Sequence, residues 1–138
     1  MPNTPDPSRR LTAYARSLGI TIEGDDGGVP LLAVDFSREV EGRPGALHGG
    51  AISGLLETAG YAALRTQLDA DGRHPQLKPI NITVQFLSTG KQKRTFAKGR
   101  ITRLGRRNAN VSVEAWQDDR ERPIATAIMN ILMADGAS

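Results

Sequence analysis

The chain has 138 residues, of which 24% are charged, with a formal net charge of +3, two histidines and no cysteine. This length fits one domain with a real hydrophobic core, and the lack of cysteine excludes disulfides, thiolate catalysis and cysteine-ligated zinc. With so few histidines and no HExxH sequence, we also expect no metal site.

The first residues, MPNTPDPSRR, lack the apolar core of a signal peptide, and no apolar run reaches the ~20 residues of a membrane span. We therefore expect a soluble cytoplasmic protein with a disordered lead over residues 1–7 and a single domain over residues 8–138. A short helix is predicted from Ser8 to Leu18, capped by Ser8 and ended by Gly19, with Leu11, Tyr14 and Leu18 on one face.

The next segments predict a turn, a strand and a long helix. Residues 24–30, GDDGGVP, have the composition of a turn, and a strand is predicted from Leu31 to Val40. The segment EGRPGAL is a predicted loop, and the helix that follows is predicted from Gly49 to Leu68.

The second half of the chain predicts strands. From Ile80 to Phe86, apolar residues alternate with polar ones, which indicates a half-buried strand. Three more strands are predicted, over Arg94–Leu104, Asn108–Gln117 and Pro123–Met133, with hairpin turns at residues 105–107 and 118–120. This order predicts an α+β fold, in which an antiparallel sheet carries one long helix.

The basic residues are concentrated in one part of the chain. Between Gly72 and Val113 there are ten Lys or Arg residues and no Asp or Glu. Such a segment favours an anionic partner, phosphate above all, although a solvated strand face is the simpler interpretation for any one residue. Nucleic acid is not favoured, because the chain has only six aromatic residues and no recognition motif.

The long helix has one apolar face and one unusual face. At about 100° per residue, five apolar residues form a stripe suited to lie on the sheet: Ile52, Leu55, Leu56, Ala59 and Ala63. Gly50, Gly54, Glu57 and Tyr61 fall on the opposite side, where glycine makes sense if a ligand or another backbone comes close. The lone carboxylate of Glu57 is costly to bury unpaired. It either faces a second subunit and does chemistry, or is a surface carboxylate paired with Arg65 or Arg43.

The sequence His48-Gly49-Gly50 opens this helix. The N–H groups of a first helical turn have no intrahelical partners and carry partial positive charge. Glycine lets a ligand approach them, so this turn can polarise a carbonyl or hold an oxyanion. A carboxylate further along the helix can act as base or nucleophile on that carbonyl.

The string GALHGGAISGLLETAGYAAL, with its carboxylate nine residues after the histidine, resembles the hotdog-fold acyl-CoA thioesterases. The similarity is to the PaaI-like group and its 4-hydroxybenzoyl-CoA thioesterase relatives. The segments INITVQFLSTG, GRRNANVSVEAW and PIATAIMNIL are similar to later strands of that family, so the resemblance covers about Leu31 to Met133.

This resemblance implies a hotdog fold, in which the sheet wraps around the helix, and a homodimer or homotetramer with active sites between subunits. It implies hydrolysis of an acyl-CoA thioester with no cofactor, coenzyme A being part of the substrate. Gly49 would polarise the carbonyl, Glu57 would be the base or nucleophile, and His48 would orient the loop. The substrate would also meet five other residues: Gly50, Tyr61, Asn81, and Arg106 and Arg107 through the coenzyme A phosphates.

Two positions depart from the family pattern. An Asn or Gln that often stands six residues before the histidine is Gly42 here, and a Thr or Ser that often stands four residues after the carboxylate is Tyr61. Both changes bear on the substrate class more than on the reaction. The alternatives are a hotdog hydratase or dehydratase, or a non-catalytic acyl-CoA-binding protein.

Overall fold

A computed structural model of the protein describes residues 11–135. Its elements, in chain order, are α1 (Ala13–Ser17), β1 (Thr21–Asp26), β2 (Val29–Val34), α2 (Gly49–Ala70), β3 (Gln76–Phe86), β4 (Thr95–Leu104), β5 (Asn108–Trp116) and β6 (Ala125–Ala134). A short 3-10 turn covers Arg38–Val40. Within residues 11–135, no helix is long and apolar enough to cross a membrane.

The six strands form one antiparallel sheet in the order β1-β2-β4-β5-β6-β3. The predicted hairpin turns join β4 to β5 and β5 to β6. The connection from β3 to β4 is different, because β3 pairs with β6 and lies at the far edge of the sheet. The predicted architecture of an antiparallel sheet with one long helix is confirmed.

Helix α2 packs on the sheet through the predicted apolar stripe. All five stripe residues are buried, and they meet the inward residues of β4, β5 and β6 in one core. The closest approach is at Gly99 of β4. A Cβ atom there would lie 2.9 Å from the carbonyl oxygen of Ala59 and 3.1 Å from the Cα of Gly60. The helix and strand backbones are therefore nearly in contact, which no larger residue at position 99 permits without a shift.

The N-terminal helix is shorter than predicted. It begins at Ala13, and the hydroxyl of Thr12 caps it by accepting a hydrogen bond of 3.1 Å from the N–H of Ala15. The predicted cap, Ser8, lies outside the described residues. Gly19 follows the helix with φ +80°, as a terminating glycine should.

The first hairpin was missed by the sequence analysis. Residues 24–26 belong to β1 rather than to a turn, and the turn itself is only Gly27 and Gly28, with φ +63° and +85°. Two consecutive residues with positive φ are typical of a tight hairpin turn. A register shift between Ile22 and Gly24 hides the alternation of β1.

The predicted strand from Leu31 to Val40 was wrong at its end. Strand β2 ends at Val34, and the chain turns away through residues 35–37 before the 3-10 turn. Val40 is buried there without being part of a strand.

Strand β3 begins at Gln76, four residues before the predicted start. Pro79 lies inside it, which an edge strand tolerates because one row of its backbone groups has no ladder partner. A bulge between Pro79 and Asn81 changes the alternation. As a result, Ile82 and Val84 pack against the core while Ile80 is 50% exposed.

Candidate active site

The first turn of α2 leaves one backbone donor without an acceptor. His48 is the N-cap residue, and its Nδ1 accepts a hydrogen bond of 2.8 Å from the N–H of Gly50. Its carbonyl oxygen accepts from Ala51 and Ile52 at 3.0 and 3.1 Å. Within residues 11–135, the N–H of Gly49 has no such partner. It therefore points out of the helix as a donor, with the positive end of the helix dipole behind it.

The role of His48 follows from the same bond. Because Nδ1 accepts, the neutral ring carries its proton on Nε2. The imidazole is thus held against the helix end and fixes the first turn, as the family resemblance implies. Gly50 is required for this arrangement, since a Cβ atom there would lie 2.9 Å from Nδ1 of His48.

A cavity of about 400 Å³ opens at the Gly49 donor. Its wall includes Arg43, Leu47 and residues 86–90 at the end of β3. A Cβ atom at Gly49 would already touch the ring of Phe86, at 3.4 Å, so glycine keeps the donor accessible. The guanidinium of Arg43 makes no hydrogen bond or ion pair within the described chain, which leaves a free cation beside this donor.

The departure at Gly42 is explained by the loop itself. A Cβ atom at this position would lie 2.9 Å from the Cα of His48. The N–H of Gly42 donates to the carbonyl of Ala46 at 2.9 Å, and the N–H of His48 donates to Val40 at 2.7 Å. This tight loop has no room for an Asn or Gln side chain at position 42, and the next residue, Arg43, lines the cavity at the Gly49 donor.

Glu57 lies two turns further along α2 and is exposed in the single chain. Among residues 11–135 it makes no hydrogen bond and no ion pair. The guanidinium of Arg65, one of the two expected partners, donates instead to the carbonyl of Pro75 at 3.0 Å. The expected ion pair of Glu57 with Arg65 or Arg43 is therefore not formed within residues 11–135, although the side chain is at the surface of the single chain, as the alternative interpretation expects. Its carboxylate is free to meet a ligand or a second subunit.

Glu57 lines a cavity of about 650 Å³. Tyr61, one turn further along, lines the same cavity and is half-buried. Burial, and then the negative charge of Glu57, raise the pKa of the Tyr61 phenol. The phenol therefore stays protonated at neutral pH and can donate a hydrogen bond beside the carboxylate.

The two reactive groups are separated within one chain. Gly49 and Glu57 are eight residues apart on one helix, which corresponds to about 12 Å along its axis. An oxyanion donor and a base acting on the same carbonyl must both come within about 3 Å of the reacting atoms. One copy of α2 therefore cannot bring both groups to one substrate carbonyl.

The remaining predicted substrate residues lie away from these cavities. Asn81 is on the sheet face turned away from α2, where its Oδ1 accepts a hydrogen bond of 2.6 Å from Asn130. Arg106 and Arg107 lie in the β4–β5 turn, beside the end of β6 at Met133. Phe86 pairs with Ala125 at the opposite end of β6. At ~3.4 Å per residue, Met133 and the turn beside it therefore lie about 27 Å from the Phe86 end of the sheet. Neither arginine side chain has a partner in the described part of the chain.

Several other cations of the basic segment are already paired. Lys93 binds Asp118 at 2.8 Å, Lys98 binds Asp26 at 3.1 Å, and Arg94 binds both Glu23 and Asp35. These residues stabilise contacts between strands and loops. They are therefore weaker candidates for a phosphate than Arg43, Arg106 or Arg107. Residues 11–135 hold no cluster of His, Asp and Glu suited to a metal ion.

The sequence analysis missed the outer wall of the Glu57 cavity. This wall consists of α1 and the β1–β2 hairpin, with Leu11, Tyr14, Ile22 and Pro30 facing the cavity. The only sequence signal was the apolar face of the predicted N-terminal helix. Its position over Glu57 depends on the hairpin, whose first strand had been interpreted as a turn.

Comparison with known proteins gives a consistent result. A family model described as the thioesterase superfamily matches residues 44–124. A protein of Chromobacterium violaceum of known structure is 31% identical, with a TM-score of 0.71 over 90% of this chain and 85% of its own. No curated protein matches the sequence.

Two further solved structures share the fold. A thioesterase of Haemophilus influenzae superimposes with a TM-score of 0.84 at 16% identity, over 96% of this chain and 90% of its own. A mutant of the phenylacetic acid degradation protein PaaI of Thermus thermophilus superimposes with a TM-score of 0.74 at 18% identity, over 88% and 99% of the two chains. The predicted hotdog fold is thereby confirmed.

Proposed function

Since the chain belongs to the thioesterase superfamily, we propose that it hydrolyses an acyl-coenzyme A thioester to a free acid and coenzyme A. The observation that carries this proposal is the pair of unpartnered groups on α2. Within residues 11–135, the N–H of Gly49 is a donor without an acceptor, and the carboxylate of Glu57 is an acceptor without a donor. A thioester carbonyl attacked by water needs one group of each kind.

The site is shared between two copies of the chain, because one copy holds the two groups about 12 Å apart. Strand β3 offers the surface for such pairing. It is an 11-residue edge strand, and an edge strand presents an open row of backbone donors and acceptors. Antiparallel pairing of two β3 edges reverses the second copy. In this arrangement, Glu57 of one copy serves the carbonyl held by Gly49 of the other.

In the reaction, the thioester oxygen accepts a hydrogen bond from the N–H of Gly49, which stabilises the negative charge that develops on it. In one route Glu57 takes a proton from water, the new C–O bond forms, and the C–S bond then breaks. The thiolate of coenzyme A receives the proton, and the acyl group leaves as the acid. In the other route the Glu57 carboxylate attacks the carbonyl carbon, and the C–S bond breaks to release the coenzyme A thiolate. Water then hydrolyses the resulting anhydride, which releases the acid, regenerates the Glu57 carboxylate and supplies the proton that the thiolate takes up. The protonated phenol of Tyr61 is placed to orient the water.

The free cations provide sites for the coenzyme A phosphates. Arg43 stands beside the Gly49 donor, while Arg106 and Arg107, whose side chains have no partner among residues 11–135, form a cationic turn at the other end of the sheet. In a dimer with reversed β3 strands, the turn of one copy approaches the Gly49 end of the other. Guanidinium groups suit phosphate because they bind its oxygens in pairs.

The test is Glu57→Gln, which keeps the shape of the side chain and removes the base. Thiol release is measured with a chromogenic disulfide from acetyl, hexanoyl, palmitoyl, phenylacetyl and benzoyl coenzyme A. We expect turnover of at least one ester by the wild type, and a loss of 100-fold or more in kcat for the variant. The matched control is Glu114→Gln, which neutralises an exposed carboxylate on the outer face of β5. A Glu57→Gln rate within tenfold of the wild type would remove the carboxylate from the mechanism.

Analytical ultracentrifugation completes this test. A shared site requires the active species to be a dimer or a larger assembly, so a fully active monomer would contradict it. A stronger test of the shared site is to mix an inactive Glu57→Gln protein with an inactive variant at the Gly49 end. Mixed dimers contain one intact site, so activity should return on mixing if the site is shared.

A further inference from the structure

The cavity at Glu57 is built mainly from apolar groups. On one side lies the Glu57 face of α2, and on the other lie α1 and the β1–β2 hairpin. The apolar groups come from all of these elements and from β3: Leu11, Tyr14, Ile22, Pro30, Tyr61, Ala62 and Leu77. An apolar wall of this kind selects an apolar ligand, since burial of its surface is the driving force.

Three polar side chains of the wall already have hydrogen-bond partners within the protein. The hydroxyl of Thr58 donates to the carbonyl of Gly54 at 2.6 Å, and the guanidinium of Arg65 donates to Pro75. The hydroxyl of Thr12 accepts the cap bond from α1. These groups offer little to a polar ligand. Asp25 and Glu57 are the two carboxylates of the wall, and neither side chain makes a hydrogen bond or ion pair within residues 11–135. In the proposed reaction, Glu57 is the reactive one.

The cavity is much larger than a very small acyl group, so such a group would not fill it. Its volume is about 650 Å³. Each non-hydrogen atom of a ligand is given the volume of a water molecule in the liquid, ~30 Å³. On this basis the cavity holds a ligand of at most on the order of 20 non-hydrogen atoms. An acetyl group would leave most of this volume to water, whereas an acyl group of about ten carbons fits within it.

Tyr14 completes the wall through a close contact with α2. A Cβ atom at Gly54 would lie 3.0 Å from Cε2 of Tyr14 and 3.0 Å from Cδ1 of Leu18. Gly54 therefore allows α1 to lie directly on α2. The Tyr14 ring is held there although it is 57% exposed, so one of its faces remains available to a ligand.

From these observations we infer that the Glu57 cavity binds the acyl group of the substrate, that this group is a large apolar one of about ten carbons, and that Tyr14 is a specificity-determining residue. The inference rests on the proposed function, because it is the acyl group that must reach Glu57. It adds the substrate class and a residue from α1, which lies outside the matched residues 44–124.

The test uses coenzyme A thioethers, which bind like substrates but cannot be hydrolysed. Titration calorimetry of wild-type protein compares S-ethyl-coenzyme A with S-decyl-coenzyme A. Each buried methylene contributes roughly fourfold in affinity. Partial burial of eight additional methylenes should therefore make the decyl compound at least 100-fold tighter. A ratio below threefold would overturn the inference.

Two variants alter the cavity in opposite ways. Tyr14→Ala removes part of the wall, and Ala62→Leu fills the space, so each should lower the decyl-to-ethyl ratio by at least tenfold. The control is Ile128→Ala on the outer face of the sheet, because Ile128 is 58% exposed and thus matches Tyr14. It should leave the ratio unchanged. If neither cavity variant changes the ratio, the acyl group binds elsewhere.

The outcome for the acyl pocket can be separated from that for hydrolysis. If binding depends on chain length but no ester releases thiol, the pocket stands and the proposed hydrolysis is wrong. If acetyl and decanoyl esters are hydrolysed at equal kcat/KM and the thioether ratio is flat, hydrolysis stands and the pocket assignment is wrong.

Discussion

Replacement of Gly99 by Ala tests the closest helix–sheet contact of the fold. The new Cβ atom would lie 2.9 Å from the carbonyl oxygen of Ala59, 2.9 Å from the Cβ of Ala63 and 3.1 Å from the Cα of Gly60. Comfortable contacts between carbon atoms begin at about 3.5 Å. Strand β4 and helix α2 would have to separate by roughly half an ångström, and none of the three atoms lies at the end of a flexible side chain.

The expected cost follows from this rigidity. Overpacking of a core costs about 1–3 kcal/mol, and the upper part of that range applies where backbone atoms must move. For a protein of this size, each kcal/mol corresponds to a Tm change of roughly 3–4 °C. We therefore expect Gly99→Ala to lower the free energy of unfolding by about 2–3 kcal/mol and Tm by about 6–12 °C.

The comparison variant is Gly60→Ala, on the other side of the contact. Its Cβ would collide with Sδ of Met129, but the flexible Met129 side chain can adopt another rotamer. Alanine also favours the helix by about 1 kcal/mol over glycine. Gly60→Ala should therefore cost less than Gly99→Ala. Urea unfolding followed by the fluorescence of Trp116 measures both, and a Gly99→Ala midpoint close to the wild-type value would refute the reasoning.

Two further predictions concern the active-site end and the cationic turn. His48→Ala removes the cap on Gly50 and should lower the free energy of unfolding by about 1 kcal/mol, whereas His48→Asn keeps a capping acceptor and should cost less. Urea unfolding of the two variants measures this difference. Equal losses would mean that the Nδ1 bond does not stabilise the helix. Reversal of charge in Arg106→Glu or Arg107→Glu should raise KM for coenzyme A esters more than KM for short thioesters without the nucleotide. An equal rise in KM for both kinds of substrate would argue against a phosphate contact at this turn.

Where the hydrophobic pattern had one meaning, the sequence predicted the fold well. The stripe from Ile52 to Ala63 has helical spacing and is buried along its whole length, so α2 was predicted to within two residues of its end. Burial alternates along the whole of β6 and along β5 as far as Ala115, because one face packs on α2 and the other faces outward. In these elements the local pattern and the tertiary environment agree.

The prediction failed where a bulge or a turn interrupts the pattern. In β1 the register shift after Ile22 removes the alternation, and the glycines at 24, 27 and 28 made the segment look like a turn. In β3 the bulge next to Pro79 reverses the orientation of Ile80. Strands β1 and β3 lie at the two edges of the sheet. There, only one neighbouring strand constrains the backbone, and local composition is a poor guide.

The site shows the same division between local and tertiary information. The first turn of α2 is a local structure, so the sequence could predict that Gly49 would offer a donor. That Glu57 is unpaired depends on where Arg65 and Arg43 reach, and that depends on Pro75 and on the loop before His48. The apolar wall around Glu57 depends on the missed hairpin, and therefore could not be predicted.

Because position 42 has no side chain, the loop before α2 can close tightly against the start of the helix. Because Gly42 lies against the Cα of His48, the loop closes tightly enough for the N–H of His48 to bond to Val40. This holds the imidazole where Nδ1 meets Gly50. Three of the first four N–H groups of α2 are then used within the chain, and among residues 11–135 only that of Gly49 is left without an acceptor. A larger residue at position 42 would open the loop, and the ring of His48 would no longer select which donor remains free. The glycine that departs from the family pattern thus removes a polar side chain from the candidate site while it fixes the position of the donor that the proposed reaction needs.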